Sequence, residues 1–323
     1  MKQKSFEKAY NKEWTMLRIL LDDSKTSKVK KDHAKFPALY RNVCNHLALA
    51  RERNYSLSLV NTLEDLVLQG HQHFYGSRSP MKFRLVEYFA AGFPQAIRRE
   101  SKLVWTSMLL LFGPTLLLTI VIQIYPHVAY MLLSNETLVG LEEMYNPAAE
   151  RFGEQRGVDS DFMMWAFYVN NNVSLDFKCF AWGIFLGLGS AFFLLFNGIF
   201  FGTIAGHLCN LGFGVTLWPF VIGHGSLELI AAAFAGASGM LMGFSLINTG
   251  RLTRLESLKE GASKAAYILY GTAFMTFLAA FVEAYWSSRV DISNTIKYTV
   301  GTLGWVIVIS YFVFVGRRKV NAV

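Results

Sequence analysis

The chain has 323 residues, of which 53% are hydrophobic and 15% aromatic, while only 17% are charged, against about a quarter in an ordinary soluble domain. Its polar residues are gathered in blocks that leave uncharged windows longer than the ~18 residues marking a membrane span, which excludes a soluble globule. With 27 Phe and 14 Tyr to bury it is not a disordered chain, and with only 3 Cys (Cys44, Cys179 and Cys209) it is not a disulfide-stapled secreted domain.

The net charge of +8 is unevenly spread. Residues 1–102 hold 19 Lys+Arg against 10 Asp+Glu, residues 127–177 hold 2 against 8, and residues 178–323 hold 10 against 5. The positive excess abuts apolar spans, as the positive-inside rule expects of a multi-pass protein in the cytoplasmic membrane with both termini inside. Nucleic-acid binding would instead need a basic stripe with interleaved aromatics on a soluble fold, so no nucleic-acid partner is expected.

Residues 1–35 alternate Lys and Glu with short apolar stretches and lack the continuous core and cleavage site of a signal peptide, so they are expected to stay on the mature protein. Phe6, Tyr10, Trp14, Leu17 and Leu21 recur three or four apart, one face of an amphipathic helix. A second set, Phe36, Leu39, Tyr40, Val43, Leu47 and Ala50, opens near Pro37, and Leu59, Leu63, Leu66 and Val67 follow. Residues 1–80 therefore read as a cytoplasmic amphipathic helical region ending at the turn 76–80. His71 and His73, with no Cys or carboxylate cluster beside them, do not make a metal site.

Residues 81–102 combine Phe83, Val86, Phe89, Phe93 and Ile97 with Lys82, Arg84, Arg98, Arg99 and Lys102, the pattern of a basic helix in the lipid interface. A transmembrane domain, 103–323, follows. Its first span, 103–126, is uncharged and interrupted only by Gly113-Pro114. Residues 127–177 form an acidic extracytoplasmic loop, without the alternating acids and central Gly of a calcium loop. A short wedge at 162–168 and the run Asn170-Asn171-Asn172 lead to a second span at 180–201.

Small residues crowd the next stretch. Gly183 and Gly187, Gly198 and Gly202, and Gly236 and Gly239 lie three or four apart, the spacing that lets helix backbones approach closely, within one chain or in a homo-oligomer. Residues 249–264 and the tail at 317–319 are basic and read as cytoplasmic. The chain between must go out and back, either as two crossings (204–223 and 226–248) or as a glycine-rich re-entrant hairpin, turning near Gly223-His224-Gly225. Spans at 265–287 and 298–316 then complete an all-α polytopic protein of about six crossings.

Ionisable groups inside apolar segments cost about 2.5–3.5 kcal/mol each on insertion scales and should face protein or water. Glu228 lies four residues after His224 and shares its helix face, unless Gly225 ends the helix between them. In this topology Glu283 and the run containing Asn170 and Asn171 reach the same depth, giving a polar intramembrane cluster of His224, Glu228, Glu283, Asn170 and Asn171. Asn197, beside Gly198, belongs to the opposite end and to the helix-packing set.

The order Asn170-Asn171, Gly183, Gly187, Asn197-Gly198, Gly202, Trp218, His224-Gly225, Glu228-Leu229, Gly236-Ala237 and Gly239 with Gly243 resembles the stage II sporulation protein M family of integral membrane proteins, over roughly residues 80–320. The resemblance implies a broad bacterial and archaeal group whose sporulation member is a membrane scaffold for cell-wall-degrading partners during engulfment. Many members stand beside genes for a MoxR-type ATPase, a von Willebrand-like protein and a transglutaminase-like protein. It implies no catalytic residues, no cofactor and, for this chain, no sporulation role.

Three function classes stand. A scaffold would anchor or organise partner proteins in cell-envelope processes and use His224 and Glu228 structurally. A transporter or channel-like protein would use Glu228 or Glu283 at a polar cavity. An intramembrane hydrolase would use His224 as base or zinc ligand, but the second His of HExxH and a Gly-x-Ser-x-Gly elbow are both missing. The expected site list therefore holds no catalytic residue and no metal, and in the absence of a phosphate-binding loop, ATP-driven work would fall to a partner.

Overall fold

The computed structural model describes residues 2–23, 36–75, 81–148 and 158–317, and every regular element among them is helical. The chain divides into two compact units, Met1–Arg84 and Leu85–Val323.

In the first unit α1 (Gln3–Asp23), α2 (Phe36–Glu52) and α3 (Leu57–Tyr75) share one core. Phe6, Trp14 and Leu17 of α1 meet Val43, Leu47 and Ala50 of α2 and Leu59, Leu63 and Leu66 of α3. The spacing of these residues puts them on one face of each helix, and burial of those faces holds the bundle together. His46 is enclosed in this core, where the Trp14 indole N–H donates to its Nδ1 at 3.2 Å. Burial lowers the imidazole below its usual 6.5, which favours the neutral ring that this bond requires. The turn 76–80 lies outside the described residues.

The second unit is entered through α4 (Met81–Glu87), a π-helical turn at Tyr88–Gly92 and α5 (Phe93–Arg99). This segment is pinned to the unit's later helices: the Tyr88 hydroxyl donates to Tyr267 O, the Tyr311 hydroxyl to Phe89 O, and Arg98 to Phe312 O. Then come α6 (Ser101–Ile124), α7 (Val128–Leu132), α8 (Asn135–Tyr145), α9 (Val158–Tyr168), a π-helical turn at Val169–Val173, α10 (Ser174–Ala181), α11 (Leu188–Asn210), α12 (Gly214–Phe244), α13 (Arg254–Val282), a π-helical turn at Glu283–Ser287 and α14 (Asn294–Phe314). Five helices among the described residues are long and apolar enough to cross a membrane: α6, α11, α12, α13 with its π-helical end, and α14.

The most extensive seam joins α6 to α11. Hydroxyls of Thr115 and Thr119 and the amide of Gln123 donate to the carbonyls of Gly198, Gly202 and Gly206. Both sequences climb together in steps of four, so the two helices run parallel. The three glycines make this possible: a Cβ on Gly202 would stand 2.6 Å from Thr115 O, and one on Gly206 would stand 2.8 Å from Ile122 Cβ. Without side chains at these points the backbones come close enough for small polar groups to reach across.

The parallel seam changes two sequence expectations. No span runs through 180–201, because α10 and a short 3-10 turn end at a reversal in which Leu186 (φ 54°) and Gly187 (φ 81°) are left-handed. Gly183 and Gly187 are therefore not successive turns of one packing helix. Gly183 meets the backbone of Gly239 and Gly187 that of Gly243, locking the reversal against the end of α12. Nor does the chain turn at Gly223-His224-Gly225. The central hairpin is present, but its turn lies at 211–213, where Gly212 takes φ 83°, and α12 runs unbroken through Pro219, Gly223 and Gly225. The apolar neighbours of α12 on several sides hold these poor helix formers in register, as packing overrides propensity.

Candidate functional site

Because α12 is continuous, His224 and Glu228 do lie on one helix face, with His224 Nε2 3.9 Å from Glu228 Oε2. That separation is within ion-pair range but too long for a hydrogen bond. The α13 end widens into a π-helical turn that directs both Glu283 and Ser287 inward, where they are buried. Ser287 Oγ lies 3.1 Å from His224 Nδ1, and the buried Lys297 of α14 donates to the Ser287 carbonyl at 2.9 Å. Ligand atoms of His224, Glu228 and Glu283 all fall within 4.8 Å of one another.

A second π-helical turn, Val169–Val173, supplies the fourth side of the cluster. It does so through Asn172, whose amide donates to Glu283 Oε2 at 3.3 Å. Asn171 stands one step back and donates to Asn172 Oδ1 at 2.9 Å. Asn170 lies in the same turn, with no hydrogen bond or ring contact to the cluster among the described residues. Widened helical turns of this kind re-aim side chains relative to regular 3.6-residue spacing, which is why the asparagine facing the cluster could not be chosen from periodicity alone.

Next to the cluster lies a cavity of about 30 Å³ lined by Asn172, Asp176, Asn197, Glu228 and Thr276 among others. Asp176, buried on α10, accepts a 2.5 Å hydrogen bond from Thr276. In the sequence Asp176 falls within the acidic stretch 127–177, although its spacing of four from Asn172 puts both on one helix face. Asn197, expected at the opposite end, instead lines this cavity with Asn172 and Glu228, because its helix starts only at Leu188 and runs parallel to α6; its amide donates to Phe193 O. Glu228 Oε2 is enclosed and makes no hydrogen bond among the described residues.

The packing glycines lie elsewhere in the same unit. Gly198 and Gly202 face α6, Gly236 faces Leu194, and Gly239 faces Ser190 and the carbonyls of Cys179 and Phe180. The helices after α6 are tied to this frame as well. Glu142 of α8 pairs with His207 of α11 at 2.7 Å, and Thr216 donates to Tyr145 O. Burial pushes the Tyr145 phenol well above its usual range.

The family model described as Stage II sporulation protein M matches residues 105–288, more than half of the chain and the whole of the cluster except Lys297. A second model, a domain of unknown function (DUF8413), matches residues 4–76, the three helices of the first unit. No curated protein and no solved structure matches the chain.

Proposed function

The chain belongs to the stage II sporulation protein M family, and from that premise we propose that it is a membrane scaffold, anchoring and organising partner proteins in cell-envelope processes through its N-terminal helical unit. The observation that carries this reading is the close backbone packing around the polar cluster. Glycine backbones of α11, α12 and the 185–187 reversal press against neighbouring backbone, and the cavity at the polar cluster has a volume of only about 30 Å³. That volume holds about one or two waters, too little for a substrate at the cluster itself; the larger cavity of the unit, about 450 Å³, opens between α5 and α13 at Gln95, Arg99, Lys264 and Tyr267, away from the cluster. A rigid frame suits anchoring better than alternating access, which needs one set of helices to rock against another.

The parallel α6–α11 seam supports six crossings. Two parallel neighbours require the chain to return between them, and residues 158–181, at 1.5 Å per residue, are long enough to do it. With α9–α10 as the sixth crossing, both termini face the cytoplasm, consistent with the basic N-terminal region. Partners of the MoxR-type ATPase, von Willebrand-like and transglutaminase-like classes fit such a frame, the ATPase supplying the energy-consuming step.

Photo-crosslinking residues placed at Ile19 and Leu68, both exposed on the first unit, test the role in native membranes. The reading expects discrete adducts with a protein of one of these three classes. Adducts with lipid alone, together with ion or solute flux in liposomes that Glu228→Gln abolishes, would replace the scaffold by the transport reading.

A further inference from the structure

We propose that His224, Glu228 and Glu283 form a binding site for one divalent cation of the Zn²⁺ type, held between α12 and the π-helical end of α13. The inference is independent of the scaffold reading, since a metal clamp would serve a rigid frame or a moving one.

Three observations carry it. The first is convergence: an imidazole nitrogen and a carboxylate of α12 and a carboxylate from the π-helical end of α13 lie within 4.8 Å of one another. Zinc binds such N and O donors at about 2.0–2.2 Å, which places tetrahedral ligand atoms about 3.4 Å apart. Closing the observed set needs at most about 1.4 Å of movement, within the reach of glutamate side-chain rotation.

The second is the support around the donors. Ser287 Oγ engages His224 Nδ1 at 3.1 Å, which leaves Nε2 as the ring nitrogen turned to Glu228, and Asn172 donates to Glu283 Oε2. A metal-ligating histidine characteristically has its other nitrogen hydrogen-bonded, and ligating carboxylates are themselves held by donors. The third is Glu228 Oε2, enclosed among the helices and without a hydrogen-bond partner among the described residues. An enclosed carboxylate oxygen left unpaired is unfavourable. A divalent cation satisfies it and balances the charge of both glutamates at once.

Neighbouring acids are already engaged: Asp176 accepts from Thr276, and Glu142 pairs with His207. The site is thus confined to the three donors and is distinct from the Glu142–His207 pair.

The test uses full-length protein without a histidine tag, purified in detergent, stripped with chelator and titrated with Zn²⁺ alone, with Co²⁺ as a spectroscopic substitute. The proposal expects about one Zn²⁺ per chain by elemental analysis after desalting, and a Co²⁺ visible spectrum showing nitrogen and oxygen coordination. Glu228→Gln and Glu283→Gln remove both signals. Ser287→Ala and Asn172→Ala, which leave the ligands in place, weaken affinity by about 10- to 100-fold, and His207→Gln leaves it unchanged. The Ser287 and Asn172 variants decide the matter should a glutamate variant fail to fold. A stoichiometry near zero in folded wild-type protein, or an affinity indifferent to Glu228→Gln, Ser287→Ala and Asn172→Ala, would overturn the site.

Discussion

Substituting alanine for Gly202 places one methyl group at the middle of the α6–α11 seam. The new carbon would stand 2.6 Å from Thr115 O and 2.8 Å from Thr115 Cα, while ordinary contact begins at about 3.4 Å. The obstacle is backbone on a facing helix, so no rotamer change relieves it and the helices must separate by about 0.8 Å. A gap of that size forfeits a quarter to a half of the dispersion energy across the affected contacts. It also stretches the bonds from Thr115, Thr119 and Gln123 to the three glycine carbonyls, each worth about 0.6 kcal/mol in a bilayer protein. With an overpacking penalty of about 1–3 kcal/mol, the expected loss is about 2–4 kcal/mol. Equilibrium unfolding in mixed detergent micelles measures it. Gly140→Ala is the control, because nothing lies within 4 Å of a Cβ there; on an open helix that change stabilises by up to about 1 kcal/mol. A Gly202→Ala protein within about 0.5 kcal/mol of wild type would refute the seam as the source of rigidity.

The His46 ring is depressed below 6.5 in the folded state, so the unfolded chain binds the extra proton first and the first unit loses stability as pH falls below about 6.5. Chemical denaturation of the first unit followed by Trp14 fluorescence should show its midpoint falling in that range, and His46→Gln, which keeps an acceptor for Trp14, should flatten the response. Asn172→Ala removes the amide held by Glu283 and should destabilise by about 1–3 kcal/mol, whereas Asn170→Ala should stay within about 0.5 kcal/mol; thermal unfolding of the two variants separates them. Thr253 caps α13 by accepting from the Glu256 N–H, with the Glu256 carboxylate accepting in return from the Thr253 N–H. Thr253→Ala should therefore cost about 1 kcal/mol, visible as faster exchange in the first turn of α13 alone.

Composition and charge pattern made the helical membrane class legible, because a bilayer admits few ways to satisfy a backbone and each leaves long uncharged windows. The glycines at 198 and 202 signalled close packing, yet spacing alone does not say whether the facing helix runs parallel or antiparallel. That direction came from the partners Thr115, Thr119 and Gln123, whose own step of four was unremarked in an apolar run. The reversal was misplaced at 223–225 because two glycines flanking a histidine look like a turn. Packing keeps them helical, and the break falls instead at Gly212, where a positive φ is required. Of the cluster, His224, Glu228 and Glu283 stood out as ionisable groups in apolar sequence. Ser287, Lys297 and the choice of Asn172 over Asn170 did not, since π-helical turns shift side chains off the regular period.

In the proposed topology α6 and α11 point the same way and residues 158–181 carry the chain back between them. Single cysteines at Ala148, Phe185, Leu211 and Asn248, in a protein otherwise free of cysteine, are labelled in intact cells and again after permeabilisation with a reagent that does not cross lipid. Positions 148 and 211 should react in intact cells, and positions 185 and 248 only after permeabilisation; reaction of 148 and 185 from the same side would contradict the account.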